Sequence, residues 1–142
     1  MKVEAILAGK DSRAVTVLDT ARVVDAVDVL GEKNIGAILV CDAAGAVKGI
    51  LSERDIVRRL RTEGPGILEE GVTSCMTENP FTCAPSMTID EAMAVMTNKR
   101  IRHLPVMDSD KLIGVISIGD VVKRKIEQAE TEAAALKEYI SS

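Results

Sequence analysis

Gly49-Ile50-Leu51-Ser52-Glu53-Arg54-Asp55 returns later in the chain as Gly114-Val115-Ile116-Ser117-Ile118-Gly119-Asp120, and this doubling decides the fold. The match extends upstream for roughly forty residues. Asp25-Ala26 answers to Glu91-Ala92, Ile35-Gly36-Ala37-Ile38-Leu39-Val40 to Ile101-Arg102-His103-Leu104-Pro105-Val106, and Val15-Thr16-Val17 to Phe81-Thr82-Cys83. One residue is missing from the second copy between Val106 and Gly114, where a hairpin loop absorbs it. Two copies of one unit predict a pseudo-symmetric pair, and a site built in one copy should have a counterpart in the other.

Within the first copy, Val15–Val17 reads as a short extended segment. Val23 to Glu32 reads as a helix with Val23, Val27 and Leu30 on one face. Asn34 and Gly36 close it. Ala37 to Cys41 is an almost unbroken apolar run, the mark of a strand buried on both faces. A turn at Asp42-Ala43-Ala44-Gly45 leads to a return strand at Val47–Leu51 and a helix from Glu53 to Arg61. The second copy repeats the order: Phe81–Cys83, Ile89–Lys99, His103–Met107, Lys111–Ile116, then a helix from Gly119. The fold class expected is α+β, an α/β sandwich of two β-α-β-β-α units packed through their sheets. Residues 1–66 hold the first unit with an N-terminal extension, and residues 67–142 hold the second with a long final helix. That helix carries Val122, Ile126, Ala129, Ala133, Leu136 and Ile140 at alternating spacings of four and three, a stripe suited either to docking on its own domain or to self-association.

Composition narrows the function. The chain has 142 residues, 46% of them hydrophobic, so a real core is available, yet Phe81 and Tyr139 are its only aromatics. A bound base must therefore lie between aliphatic side chains. With a net charge of −4 and almost no rings to stack on, nucleic-acid binding is not expected. Three cysteines, Cys41, Cys75 and Cys83, without a C-x-x-C pair, read as reduced thiols of a cytoplasmic protein. No signal segment and no apolar run of transmembrane length is seen. His103 is the only histidine, with no nucleophile motif and no metal-ligand spacing, so neither an enzyme nor a metal site is expected. Met87, Met93, Met96 and Met107 fall on apolar positions and read as core.

The chemistry concentrates at Ser52-x-x-Asp55 and Ser117-x-x-Asp120. Each stands where a buried strand ends and a helix begins. The plain reading is a capping box, with serine accepting from the third helical amide and the acid reaching back. The recurrence at the same point of both copies favours more. A helix N-terminus offers amides and a positive dipole end to phosphate, and a carboxylate beside it suits the paired hydroxyls of a ribose. Together these spell a nucleotide.

This arrangement resembles the cystathionine-β-synthase (CBS) domain, used in tandem pairs as an adenine-nucleotide sensor, and is most similar to bacterial CBS pairs without an attached enzyme or channel. The resemblance rests on the doubled Gly-h-h-Ser-x-x-Asp, on Ile101–Val106, and on Met76-Thr77 ahead of the second copy. It implies ligand clefts between the copies. Asp55 and Asp120 would hold riboses, and Ser52 and Ser117 would touch phosphate or ribose. The backbone around Thr16-Val17 and Thr82-Cys83 would read the adenine edge. Gly36 and Ala37 would leave room for a base where the bulkier Arg102 and His103 do not. Arg54 would neutralise a phosphate, whereas its counterpart Gly119 leaves the helix end bare. The expected ligand is AMP first, with ADP, ATP, NAD or S-adenosylmethionine as alternatives, and no catalytic cofactor. Ile56, Val57, Leu60, Val121, Val122 and Ile126 suggest a homodimer. A downstream protein of unknown identity would receive the signal. The competing reading is an oligomerisation adaptor without a physiological nucleotide.

Overall fold

The computed structural model describes residues 1–9 and 14–141. Its elements are α1 (Val3–Ala8), β1 (Thr16–Leu18), α2 (Val23–Lys33), β2 (Ala37–Cys41), β3 (Val47–Ser52), α3 (Glu53–Glu63), β4 (Thr77–Glu78), α4 (Ile89–Lys99), β5 (His103–Asp108), β6 (Lys111–Ser117) and α5 (Ile118–Ser141). The chain forms two compact units, one of Arg13–Phe81 with Ser109–Ile113, the other of Met1–Ser12, Thr82–Asp108 and Gly114–Ser142.

The first unit is a four-stranded sheet in the order β1-β2-β3-β4. β1 runs parallel to β2, a pairing that needs a crossover, and α2 supplies it. β2 and β3 form an antiparallel hairpin with an irregularity at Val40/Cys41. β4 was not expected from the sequence. It is two residues long and pairs with Gly49 and Ile50, so Met76-Thr77 belongs with the first unit. The core unites Val23, Ala26 and Leu30 of α2 with Ile38, Val40, Leu51 and Ile56. Ile67, Val72 and Cys75 join them from two short 3-10 turns, so the stretch after α3 contributes core and not mere linkage.

The second unit repeats the inward faces. Ile89, Ala92 and Met96 on α4 occupy the positions equivalent to Val23, Ala26 and Leu30 and are equally buried. Leu104 and Val106 stand for Ile38 and Val40, Ile116 for Leu51, and Val121 for Ile56. Helix endings repeat as well. α2 stops at Asn34 (φ 53°) and α4 at Arg100 (φ 55°), each left-handed, each amide returning to the equivalent carbonyl, Leu30 or Met96. The following amides of Ile35 and Ile101 bond the same two carbonyls. Arg100 thus serves as a helix stop.

Two expectations change. Val27 is only partly buried, and Ala26 takes its place on the inward face of α2 because the helical stripe runs 23-26-30. Phe81–Cys83 forms no strand. Only Cys83 bridges, in parallel with Val106. Met96 is buried, whereas Met87, Met93 and Met107 are half-buried.

The N-terminal α1 joins the second unit. The amides of Val3 and Glu4 bond the carbonyls of Met87 and Pro85 at 2.8 and 3.0 Å, and Ile89 donates to Met1 at 3.0 Å. Val3 and Ile6 are buried. Arg124 of α5 donates to the Ala5 carbonyl at 3.0 Å, and Lys125 pairs with Asp90 at 2.9 Å. The first turns of α5 therefore dock on their own unit through Val121, Arg124 and Lys125, while residues 129–141 are exposed throughout.

Candidate functional site

In the first unit, one end of the sheet gathers the candidate residues. Ala37 pairs with Ser52 across the hairpin, so the start of β2, the end of β3 and the first turn of α3 coincide. β1 runs parallel to β2 with Thr16 opposite Leu39, so it too starts at this end. Thr16, Gly36, Ala37, Ser52, Arg54 and Asp55 are thereby brought to one edge of the unit. The second unit builds the same corner from Thr82, Arg102, His103, Ser117, Gly119 and Asp120.

Both Ser-x-x-Asp elements form capping boxes. In the first, the Asp55 amide donates to Ser52 Oγ at 3.1 Å, and Asp55 Oδ2 accepts from the Ser52 amide at 3.0 Å and from its hydroxyl at 2.9 Å. In the second, the Asp120 amide donates to Ser117 Oγ at 3.1 Å, and Asp120 Oδ2 accepts from the Ser117 amide at 2.8 Å. All four residues are half-buried. The box engages Oδ2 of each acid and fixes the carboxylate against the helix end.

The helix N-termini hold fewer open amides than the sequence implies. Glu53 donates to the Gly36 carbonyl at 2.9 Å, and its counterpart Ile118 donates to the Arg102 carbonyl at 2.8 Å. The first and third helical amides are thus spent on strand and serine. Among the described residues, only the second amide, of Arg54 or Gly119, stays outside these bonds at the head of each helix. A phosphate there would depend on the Arg54 side chain more than on the dipole. Arg54 is exposed and takes part in none of the ion pairs among the described residues.

The edge strands divide their backbone groups by parity. The Val15 carbonyl and the Asp19 amide bond β2, and Val17 lies opposite Val40 in the parallel register. Odd positions therefore face β2, and the alternation of a strand turns the amide and carbonyl of Thr16 to the outer edge. Cys83 spends both groups on β5, donating to Pro105 and accepting from Met107, each at 2.9 Å. Its thiol is buried, and burial pushes its pKa up to about 11. The sequence paired Val17 with Thr16 and Cys83 with Thr82 as readers of a base edge. The structure commits Val17 and Cys83 to the neighbouring strand and leaves the outward groups to the threonines.

Gly36 and Ala37 are half-buried, as is His103, while Arg102 is exposed. A depression of about 560 Å³ in the first unit is lined by the outer edge of β1, the turn from Asp42 to Gly45, and Asp110 to Leu112. It does not include Ser52 or Asp55. Asp42 at its rim has its pKa lowered, chiefly by the hydrogen bond from the Ala46 amide, with the Ala44 amide and Lys48 adding to the effect.

Arg59 and Cys75 support the site without having been singled out. Arg59 reaches Glu63, the Ser74 carbonyl and Glu70, tying α3 to the turns that follow it. Cys75 Sγ lies 3.7 Å from the Asp55 carbonyl. Only the helical spacing of Arg59 and Glu63 was visible in the sequence. Among the described residues, no group of His, Cys, Asp and Glu could hold a metal ion, and no helix is long and apolar enough to cross a membrane. Cys41, Cys75 and Cys83 are free and buried.

A doubled strand–helix corner with a serine–aspartate box in each half defines a tandem module of α+β fold. The CBS domain model matches residues 9–62 and 72–127, and the chain belongs to the CBS-domain family. A protein with CBS domains from Burkholderia ambifaria is 42% identical, with a TM-score of 0.85 over 89% of this chain and 95% of its own. A CBS-domain protein of Agrobacterium tumefaciens is 39% identical, with a TM-score of 0.86 over 88% of this chain and 99% of its own. A mitochondrial CBS domain-containing protein of Arabidopsis thaliana is 36% identical over 83% of this chain, which spans 59% of that relative's length. The fold is shared by a Pyrobaculum aerophilum CBS protein complexed with AMP (23% identity, TM-score 0.76, 84% of this chain and 89% of its own). It is shared also by a CBS domain pair solved with 5′-methylthioadenosine and S-adenosyl-L-methionine (20% identity, TM-score 0.80, 90% of this chain and 98% of its own).

Proposed function

We propose that this protein is a regulatory module that binds adenine-containing ligands, AMP first, at the serine–aspartate corner of each unit. The observation that carries this reading is the recurrence of the corner at atomic detail. The same box, the same strand-to-helix bond (Glu53 to Gly36, Ile118 to Arg102) and the same outward threonine occur in both units. Stability alone needs a helix cap, and Thr88 shows that a simpler one suffices, accepting from the Glu91 amide at 3.1 Å. The AMP-bound and S-adenosylmethionine-bound relatives of the same fold add the chemical class.

In this reading Asp55 and Asp120 accept the ribose hydroxyls, while Ser52 and Ser117 orient them. The outward amide and carbonyl of Thr16 and of Thr82 meet the donor and acceptor of the adenine edge. Arg54 neutralises phosphate in the first unit. Gly119 cannot do so, which makes the two sites unequal, and Arg102 and His103 narrow the second. The module performs no catalytic step. Ligand acts by binding one arrangement better than another, and the shift passes to a partner protein. Three buried reduced thiols suit the cytoplasm.

The test is isothermal titration of the full chain with AMP, ATP, NAD and S-adenosylmethionine, with thermal unfolding alongside. Binding of AMP with a raised unfolding temperature is expected, since a ligand at a hundredfold its Kd adds about 2.7 kcal/mol. No heat and no stabilisation from any of the four at millimolar concentration would overturn the reading in favour of an adaptor.

A further inference from the structure

We propose that the two corners are coupled through exchanged leader segments, the stretch before each copy closing the other copy's unit and being latched there by a repeated arginine, Arg59 or Arg124. The latch stands apart from any ligand, whereas the coupling rests on the ligand reading given above.

The exchange shows in matching bonds. Residues 70–76 precede the second copy yet belong to the first unit, and residues 1–7 precede the first copy yet belong to the second unit. In the first unit the Val72 amide donates to the Ala21 carbonyl at 2.9 Å, the Val23 amide donates to the Glu70 carbonyl at 2.8 Å, and Gly71 bridges Arg22. In the second unit the Val3 amide donates to the Met87 carbonyl at 2.8 Å, the Ile89 amide donates to the Met1 carbonyl at 3.0 Å, and Lys2 bridges Thr88. Val72 and Cys75 are buried in one leader, and Val3 and Ile6 at the same spacing in the other. The leaders are one structural element used twice, although Gly71-Val72-Thr73-Ser74-Cys75-Met76 and Lys2-Val3-Glu4-Ala5-Ile6-Leu7 share only the valine.

The latch repeats too. One helical turn beyond Asp55 and Asp120 stand Arg59 and Arg124. Arg59 donates to the Ser74 carbonyl and Arg124 to the Ala5 carbonyl, the same place in each leader. Each arginine is half-buried and is steadied by a glutamate of its own helix, Glu63 or Glu127. In the first unit Arg59 also holds Glu70, and the Cys75 thiol donates to the Asp55 carbonyl at 3.7 Å.

Each leader then runs on into the other unit. Beyond Ser74 the chain reaches Thr82 of the second corner, and beyond Ala5 it reaches Thr16 of the first. The helix that carries the acid of one corner therefore grips the chain that carries the outward threonine of the other. A leader that is docked or released is the two-state element that coupling requires. Ligand that favours the docked state at one corner shifts the population felt at the other. Arg59 and Arg124 are positioning residues in this scheme.

The experiment is alkylation of the full chain, read peptide by peptide by mass spectrometry. Cys75 lies in the leader of the first unit and Cys41 in its sheet, both buried, so their rates separate leader release from opening of the whole unit. Burial pushes the Cys75 thiol up, which makes the released leader the reactive state. Arg59→Gln should speed Cys75 about tenfold and leave Cys41 unchanged. Arg59→Lys, which keeps the charge and a donor, should fall between, and Arg124→Gln should alter neither rate. In the Asp55→Ala chain, whose remaining corner is the second, saturating AMP should slow Cys75 by roughly fivefold or more, again without a change at Cys41. No rise at Cys75 in either Arg59 variant, or an equal rise at Cys41, would overturn the latch. Heat from AMP in Asp55→Ala with an unchanged Cys75 rate would overturn the coupling while the ligand reading survives. Absence of AMP heat in the parent would instead overturn the ligand reading and the coupling together, and leave the latch standing.

Discussion

Replacing Asp55 by alanine separates the two things this carboxylate is asked to do. As a cap, Asp55 Oδ2 accepts two bonds, from the amide and hydroxyl of Ser52 at 3.0 and 2.9 Å. At about 0.5–1.5 kcal/mol net per bond, half-buried, the loss is about 1–2 kcal/mol. For a chain of this size the unfolding temperature should fall by roughly 2–8 °C. Asp25 is the matched control. It too sits at the third position of its helix and accepts from a backbone amide, that of Arg22, at 2.9 Å, yet α2 begins away from the proposed corner. Asp25→Ala should cost about 1 kcal/mol and leave binding alone. A charged acceptor of ribose hydroxyls contributes about 1.5–3 kcal/mol. Titration calorimetry with AMP should therefore show Asp55→Ala weakening one of two binding events by roughly ten- to a hundredfold. If Asp55→Ala loses stability as expected but binds like the parent, the acid is a cap and nothing more, and the ribose role is refuted. If Asp25→Ala weakens AMP equally, the effect is general loosening and the site is misplaced.

Gly49→Ala should destabilise the first unit by about 1–3 kcal/mol in chemical denaturation, because the new Cβ would lie 2.6 Å from the Thr77 carbonyl and 2.7 Å from Met76 Sδ, forcing β4 off β3. An unchanged denaturation midpoint would show that β4 yields freely. The pKa of Cys83 is raised by burial from 9.0 to about 11, so above pH 9 the unfolded chain releases this proton while the folded one keeps it. Stability should accordingly decline as pH rises from about 9 towards 11, and Cys83→Ala should flatten that decline in pH-dependent thermal unfolding.

What the sequence made legible was whatever repeats with a period. Val23 and Leu30 on the buried face of α2, the run at β2 and the two Ser-x-x-Asp junctions follow from apolar spacing and from comparing one copy with the other, whereas Ala26 in place of Val27 does not. Illegible were the features set by partners distant in sequence. Phe81–Cys83 repeats the apolar–Thr–apolar order of Val15–Val17 yet makes a single bridge, since strand formation depends on the neighbour and not on the segment alone. β4 and the two 3-10 turns carry no periodicity to read. Ile56 and Val121 were assigned to a dimer surface, yet both are core, whereas Val57 at 62% exposure is indeed on the surface. Helical spacing shows which residues share a face but not which face the sheet will cover. The parity of Thr16 against Val17 was hidden for the same reason. It is fixed by register with β2, and a one-residue slip would reverse it.

The boxes themselves bear on whether a cap and a ligand site can be one structure. A carboxylate that must meet a diol cannot be left on a free rotor, because fixing it on binding would cost side-chain entropy. Here that ordering is done in folding. Oδ2 is held by the serine amide in each unit, and the helix start is pinned in turn by the bond to Gly36 or Arg102. In the proposed reading the box that completes the helix end also pre-orients the acid for a ligand, so that the two roles would reinforce one another. The same geometry spends the first and third amides, so in the proposed reading phosphate affinity would shift onto side chains, where the copies part company at Arg54 and Gly119. A ligand with more phosphate should therefore prefer the first corner, and a neutral nucleoside should be the more tolerant guest of the second.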